Sequence, residues 1–213
     1  MSAAAQGLHP APERIGLLGG SFDPPHIGHV LLAQDAIEQL GLDRLLVIPA
    51  GTQPLKGAVA APAADRLAMV RAAFAEVPRV AVDALEIERG GLSFMVDTVA
   101  TLRRRWPEAR FHLLLGADAA ADLARWRDPE RLLQMVQLVV ADRGEPAGPD
   151  AAAPWRDWPD IWPPRRLTAR RVDVSSSEVR ARVAAGLSIR GFVPDAVAQY
   201  VATSGLYLAR NAC

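Results

Sequence analysis

An α/β fold built on a doubly wound parallel sheet is predicted by three observations. Short runs that are apolar throughout, Ile15 to Leu18, Leu45 to Ile48, Phe111 to Leu115 and Leu138 to Ala141, read as strands covered on both faces, because a strand with one wet face alternates. An amphipathic stretch from Val30 to Leu40 separates the first two, so that strand, helix and strand make a βαβ unit, which crosses over right-handed. A glycine-rich segment beginning at Gly19 follows the first strand directly, at the kind of strand end where open α/β sheets hold their ligands.

The 213 residues are enough for one sizeable core. The expected organisation is a disordered tail over 1–13 and a single domain over 14–213, with a Pro/Trp-rich loop at about 144–165 and a C-terminal helical part from about 176. Half the residues are hydrophobic and 23% are charged, an ordinary globular balance. Lys+Arg and Asp+Glu number 24 each, so no global field draws in nucleic acid or an anionic membrane, and any phosphate recognition is local. Neither nucleic acid nor membrane is expected as a partner; self-association as a homo-oligomer is left open. The sole cysteine, Cys213, excludes an intrachain disulfide. Met1 to Pro12 has neither the basic start nor the apolar stretch of a signal peptide, and a cytoplasmic location is expected.

The first loop, Gly19-Gly20-Ser21-Phe22-Asp23-Pro24-Pro25-His26-Ile27-Gly28-His29, has the chemistry of an anion site. Gly19 and Gly20 let the backbone turn and come close to a ligand, and Pro24 and Pro25 deliver the chain stiffly into a helix whose first N–H groups lack partners. His26 and His29 then project from its first turn, with Gly28 between them leaving room for a phosphate chain or base. In the helix, Val30, Ala33, Ile37 and Leu40 share one face, Gln34, Asp35 and Glu38 face away, and Gly41 stands at the C-cap.

Past the second strand, Lys56 is placed either to reach a phosphate or to be an ordinary exposed loop lysine. Asp65 is expected to cap a helix with Leu67, Val70 and Phe74 on its inner face, and Arg66 and Arg71 to be surface charges. Val80 to Val82 starts another strand. Phe94, Val96, Val99 and Leu102 have core spacing, and Arg103, Arg104 and Arg105 read as a solvated helix end. Asp118, just past the strand Phe111 to Leu115, is placed to accept hydrogen bonds from a ribose diol. Leu132, Leu133 and Val136 mark a short helix. Trp155, Trp158 and Trp162 recur at helical spacing, which the surrounding prolines break. Ser175 and Ser176 precede a stretch containing Val179 and Val183, so Ser176, Glu178 and Arg180 form a helix start able to hold a second anion, with Ser176 as the cap.

The eleven-residue loop, with its strand before and helix after, resembles the signature of the His-x-Gly-His nucleotidyltransferases, and its Gly-Gly-Ser-Phe-Asp-Pro form most resembles bacterial nicotinate-nucleotide adenylyltransferases. The likeness runs from about Arg14 to Tyr207. Ser175-Ser176-Ser177-Glu178-Val179-Arg180 is similar to the family's Ile-Ser-Ser-Thr-x-Ile-Arg, and the tail around Phe192-Val193-Pro194 follows its C-terminal pattern. The resemblance implies a Rossmann-like sheet of nucleotidyltransferase type. It implies catalytic roles for His26, His29, Lys56 and Arg180, and ATP binding by Gly19, Gly20, Ser21, Phe22, Gly28, Asp118, Ser175 and Ser176. It places Phe94 and Met95 where the family has Tyr and Thr beside the acceptor, Trp126 where a tryptophan stacks on the acceptor's pyridine ring, and Arg143 near an arginine preceding Pro-Gly. Helix packing is the rival role for Trp126.

The activity so implied is transfer of AMP from ATP to nicotinate mononucleotide, releasing pyrophosphate, with one Mg²⁺ held chiefly by the ATP phosphates and water rather than by protein ligands. The attacking phosphate is already ionised, so no general base is required; alignment and charge neutralisation are. Phe94 and Met95 remove two hydroxyls from the acceptor side, which keeps nicotinamide mononucleotide and phosphopantetheine open as acceptors. A class I aminoacyl-tRNA synthetase is disfavoured by the chain's length, and a nucleotide sensor without turnover by two phosphate motifs that are both intact.

Overall fold

A computed structural model of the protein describes residues 12–55, 59–142 and 164–209. Strands β1 (Arg14–Gly20), β2 (Arg44–Pro49), β3 (Val80–Val82), β4 (Arg110–Gly116), β5 (Gln137–Asp142) and β6 (Arg165–Thr168) pair in parallel, in the order β3-β2-β1-β4-β5-β6. The winding reverses between β1 and β4, and at such a switch point the loops leaving the two strands part and open a crevice. Gly20 and Gly116, the last residues of those strands, border it. The family-level expectation of a doubly wound α/β sheet is met.

Helices α1 (Ile27–Leu40), α2 (Ala63–Phe74), α3 (Leu85–Arg89), α4 (Met95–Arg105), α5 (Ala117–Ala121), α6 (Pro129–Met135), α7 (Ser176–Ala184) and α8 (Asp195–Ser204) cover both faces. Side chains alternate between two cores, which is why the strand sequences are apolar at every position. Leu18, Leu45, Val47, Leu114 and Val139 pack on one face with Ile37, Met69 and Val197. Ile15, Leu17, Leu46, Ile48, Leu113 and Val140 pack on the other with Val99, Leu102 and Leu132. Each such side chain contributes about 1.5–3 kcal/mol on leaving water. Gly41 ends α1 in the left-handed conformation, at φ 60°, as the sequence predicts.

Three expectations for individual charges are corrected. Asp35 does not face away; it is buried and accepts from the Arg170 backbone N–H at 3.0 Å and pairs with the Arg170 guanidinium at 3.1 Å. Asp65 lies inside the first turn of α2 instead of capping it, and accepts a 2.8 Å hydrogen bond from the Tyr200 hydroxyl. Arg66 is not a surface charge: it is 1% exposed, whereas Arg71 is exposed as expected. The inner face of α2 is Arg66, Met69, Val70, Ala73 and Phe74, rotated from the predicted one, with Leu67 only half-buried. Strand β6, with the sequence Arg-Arg-Leu-Thr, was not expected; as a sheet edge it buries only Leu167 of its four side chains and so lacks an apolar run.

Candidate active site

The loop from β1 to α1 owes its shape to small residues at the places where side chains crowd. A Cβ on Gly20 would meet the Phe22 ring at 3.1 Å, and the missing atom lets that ring, at φ 50°, fold back into the core until it is 2% exposed. Phe22 therefore offers a nucleotide only its backbone. Its ring meets that of His29 edge-on, at 5.0 Å between centroids, and His29 in turn lies 3.8 Å from His26. His26 is the N-cap of α1 and His29 the third residue after it. The His26 backbone N–H donates to His29 Nδ1 at 3.1 Å, which leaves the proton of a neutral His29 ring on Nε2 as a donor. A Cβ on Gly28 would lie 3.1 Å from the His26 ring, so the gap between the two histidines exists because residue 28 is glycine. Ser21 donates to the Gln53 side chain at 2.6 Å.

The second phosphate-like segment arrives from far along the chain and docks on this loop. Ser176 donates to the Pro24 carbonyl at 2.8 Å, and the Arg180 guanidinium donates to the Asp23 carbonyl at 2.7 Å, across sequence separations of 152 and 157 residues. The N-termini of α1 and α7 thus lie together, each carrying partial positive charge. One detail differs from expectation. Ser175, not Ser176, caps α7 by accepting from the Glu178 N–H at 3.1 Å, and this frees the Ser176 hydroxyl for Pro24. Three consecutive serines gave the sequence no means of choosing between them.

Beneath this junction lies a buried polar cluster that sequence reasoning missed. The Asp23 carboxylate, 4% exposed, accepts from the N–H groups of Ala60 and Ala61 and, at 2.7 Å, from the Tyr207 hydroxyl; Arg180 approaches it to 3.9 Å. Burial, and the hydrogen bond to Asp23, push the Tyr207 phenol well above its ordinary range. Arg66 donates to the carbonyls of Ser21 at 2.8 Å, Gly51 at 2.9 Å and Ala61 at 3.3 Å. Desolvation lowers its pKa and the Asp23 charge opposes that shift. One guanidinium thereby ties the end of β1 to the end of β2. A signal for it was present: Arg66 falls on the apolar stripe of its helix, where a solvated arginine does not belong.

On the other side of Gly19 and Gly20 a cavity of about 220 Å³ opens, lined in part by Ser93, Phe94, Met95, Trp126 and Arg127. Its wall is made where the chain beyond β2 pairs with the approach to α4: Ser93 N–H donates to the Thr52 carbonyl at 2.8 Å and Gly51 N–H to Ser93 Oγ at 2.9 Å. Glu86 lies in this wall, accepting from the Thr98 hydroxyl at 2.7 Å, and burial raises its carboxyl pKa against the opposing effects of Thr98, Ser93 and Arg89. The cavity therefore joins three of the predicted acceptor-side residues, Phe94, Met95 and Trp126. Asp118 is exposed on the first turn of α5, at the same edge of the sheet but outside the cavity lining. Lys56, Arg143 and the three loop tryptophans lie outside the described residues. Among the described residues no group of three or more His, Cys, Asp or Glu is placed to hold a metal ion, and no helix is long and apolar enough to cross a membrane.

Residues 17–182, which span both docked segments and the cavity, match the cytidylyltransferase-like family. A protein of Gemmatimonas aurantiaca named "probable nicotinate-nucleotide adenylyltransferase" is 57% identical over 199 residues, covering 91% of this chain and 92% of the relative. The chain belongs to the nicotinate-nucleotide adenylyltransferase family. A Thermus thermophilus relative of the same name is 43% identical, covering 91% of this chain and 99% of its own. The fold agrees with that of Plasmodium falciparum nicotinic acid mononucleotide adenylyltransferase, solved in complex with NaAD, at a TM-score of 0.73 and 19% identity over 92% of this chain and 97% of that one.

Proposed function

We propose that this protein transfers the adenylyl group of MgATP to nicotinate mononucleotide, forming nicotinate adenine dinucleotide and pyrophosphate. The observation that supports it most is the docking of residues 175–180 onto residues 23–24, which brings the start of α7 and the Arg180 side chain against the loop that leads into α1 and its two histidines. A triphosphate fits that arrangement because it needs several donors along its length and carries its own charge into the dipoles. The neighbouring aromatic cavity suits a flat pyridine ring, with Trp126, Phe94 and Met95 as its contacts, and Asp118, outside that lining, is assigned to the ribose of ATP.

In this reading the acceptor's phosphate oxygen attacks the α-phosphorus, the bond to the β-phosphate oxygen breaks, and pyrophosphate leaves. The protein removes no proton, since the attacking phosphate is already ionised at neutral pH. Its work is to hold the two anions in line and to meet charge growing on the phosphorus oxygens. His29, with its Nε2 proton directed by the contact at Nδ1, and His26 serve as donors, Arg180 and Lys56 as cations, and the loop N–H groups after Gly20 as a fixed cradle. Mg²⁺ enters as part of the MgATP substrate, its ligands supplied by phosphates and water.

A pyrophosphate-release assay with MgATP and each of nicotinate mononucleotide, nicotinamide mononucleotide and phosphopantetheine tests the proposal. Release with the first and much less with the others is expected. Calorimetric ATP binding without release for any acceptor would replace the proposal with a nucleotide sensor.

A further inference from the structure

Beyond α8 the chain turns back onto the loop ahead of α1. Gly205 ends that helix in the left-handed conformation, and Tyr207 adopts the same conformation at φ 65°, which costs a residue with a Cβ and persists where contacts hold it. Its ring packs against the core that contains Phe22, and its hydroxyl donates to Asp23 Oδ1 at 2.7 Å. Burial and the neighbouring carboxylate raise the phenol's pKa, so it keeps its proton and remains a donor.

Asp23 stands where the first phosphate-like loop meets α7. Its carboxylate accepts from neutral donors, the Tyr207 hydroxyl at Oδ1, the Ala61 N–H at 3.1 Å and the Ala60 N–H at 2.6 Å. With its oxygens so occupied it comes only within 3.9 Å of the Arg180 guanidinium, which donates instead to the Asp23 main-chain carbonyl at 2.7 Å and keeps 32% of its side chain exposed. The loop is thereby fixed to α7 without the arginine's charge being spent on a close ion pair.

We propose that Tyr207 is a positioning residue for adenylyl transfer: by holding the Asp23 carboxylate it keeps the loop ahead of α1 in place against α7 and leaves the Arg180 charge for the phosphates of ATP. This role rests on the adenylyl-transfer reading. Without the hydroxyl, a buried carboxylate is left short of a donor, and Arg180, 3.9 Å away, is the cation placed to meet it. An arginine drawn into that pair is displaced and partly neutralised, and holding two anions in line tolerates little displacement. Tyr200 supplies a contrast from the same part of the chain, since its hydroxyl donates at 2.8 Å to Asp65 and so ties α8 to α2 rather than to the loop.

The test compares wild type, Y207F and Y200F. Each variant loses one oxygen that donates to a carboxylate and keeps its ring in place, so each still folds. Pyrophosphate release from MgATP and nicotinate mononucleotide is measured at a temperature where circular dichroism shows all three proteins folded. Y207F is expected to lower kcat by about tenfold or more, the scale of losing one hydrogen bond to a charged group, and to raise the KM for ATP, while the KM for nicotinate mononucleotide stays unchanged. Y200F should lower the melting temperature about as much as Y207F yet keep kcat and both KM values. Wild-type kcat and KM for ATP in Y207F overturn the role, and so does an equal loss in Y200F, which would make both hydroxyls supports of the fold alone. Should the wild type release no pyrophosphate, adenylyl transfer fails, and calorimetric MgATP binding, expected to weaken in Y207F and not in Y200F, still decides Tyr207.

Discussion

The two ends of the sheet are built from the same helices and strands yet carry opposite chemistry. At the carboxyl ends of the strands the helices begin, and four of them, α1, α4, α5 and α7, start beside the crevice or its cavity with partial positive charge. The loops there are kept small and are held by a buried cluster around Asp23 and Arg66. At the amino ends the helices finish, and arginines meet their unpaired carbonyls. Arg14 donates to Leu40 O at 3.4 Å, Arg165 to Gln39 O at 3.3 Å and Arg103 to Met135 O at 3.4 Å. Arginines at that end satisfy helix carbonyls, whereas at the other end the helix starts present their positive dipole ends. The comparison shows how a chain of zero net charge can offer an anion helix N-termini at one end of the sheet, while in its arginine run Arg103 donates to Met135 O and Arg105 to Asp83.

Replacing His29 by Ala attacks the carboxyl end alone. It should lower kcat by about a hundredfold or more, the scale of losing one transition-state donor, while the melting temperature stays within about 2 °C. Retained turnover would remove His29 from its assigned role.

Arg66→Met strikes the clamp between the two loops and should show first in stability. Three carbonyls lose their donor and Asp23 loses a neighbouring cation, a cost of about 3 kcal/mol that lowers the melting temperature by about 6–12 °C. Thermal denaturation measures it directly, and a shift under about 2 °C would show that water replaces the guanidinium at little cost.

The smallest effect belongs to the amino end and depends on pH. His112 in β4 is 8% exposed, with neither ring nitrogen hydrogen-bonded among the described residues, and burial together with Arg165, Arg14 and Arg110 holds its pKa below the ordinary 6.5. A depressed histidine favours the neutral ring in the folded state, so its contribution is full above the unfolded value near 6.5 and is lost as pH falls from there through the folded value. Urea unfolding at several pH values should show stability falling on the acid side of that point. His112→Leu should remove that part of the slope with little change at neutral pH, since an apolar group leaves no buried nitrogen unpaired. Identical acid slopes in the two proteins would show that His112 does not titrate with folding.

Much of this was legible in the sequence because it was local. Apolar runs marked four strands, Gly41 marked a cap, and the loop from Gly19 to His29 and the serines at 175–176 marked the two segments that dock on each other. What escaped was decided by distant partners. Arg66 and Asp35 look like surface residues until the carbonyls and the arginine that receive them are known. Tyr207 reaches Asp23 across 184 residues, and β6 is a strand only because β5 offers it an edge. Phe94 and Met95 showed as departures from a pattern, but that an arginine lies over Phe94 is a fact of the folded chain.

Amide hydrogen exchange with and without a non-hydrolysable ATP analogue tests most directly that one triphosphate spans both phosphate segments. Slowed exchange is expected in residues 20–29 and 175–180 together, with none of the same size at the amino ends of the strands. Slowing in one segment and not the other would contradict it.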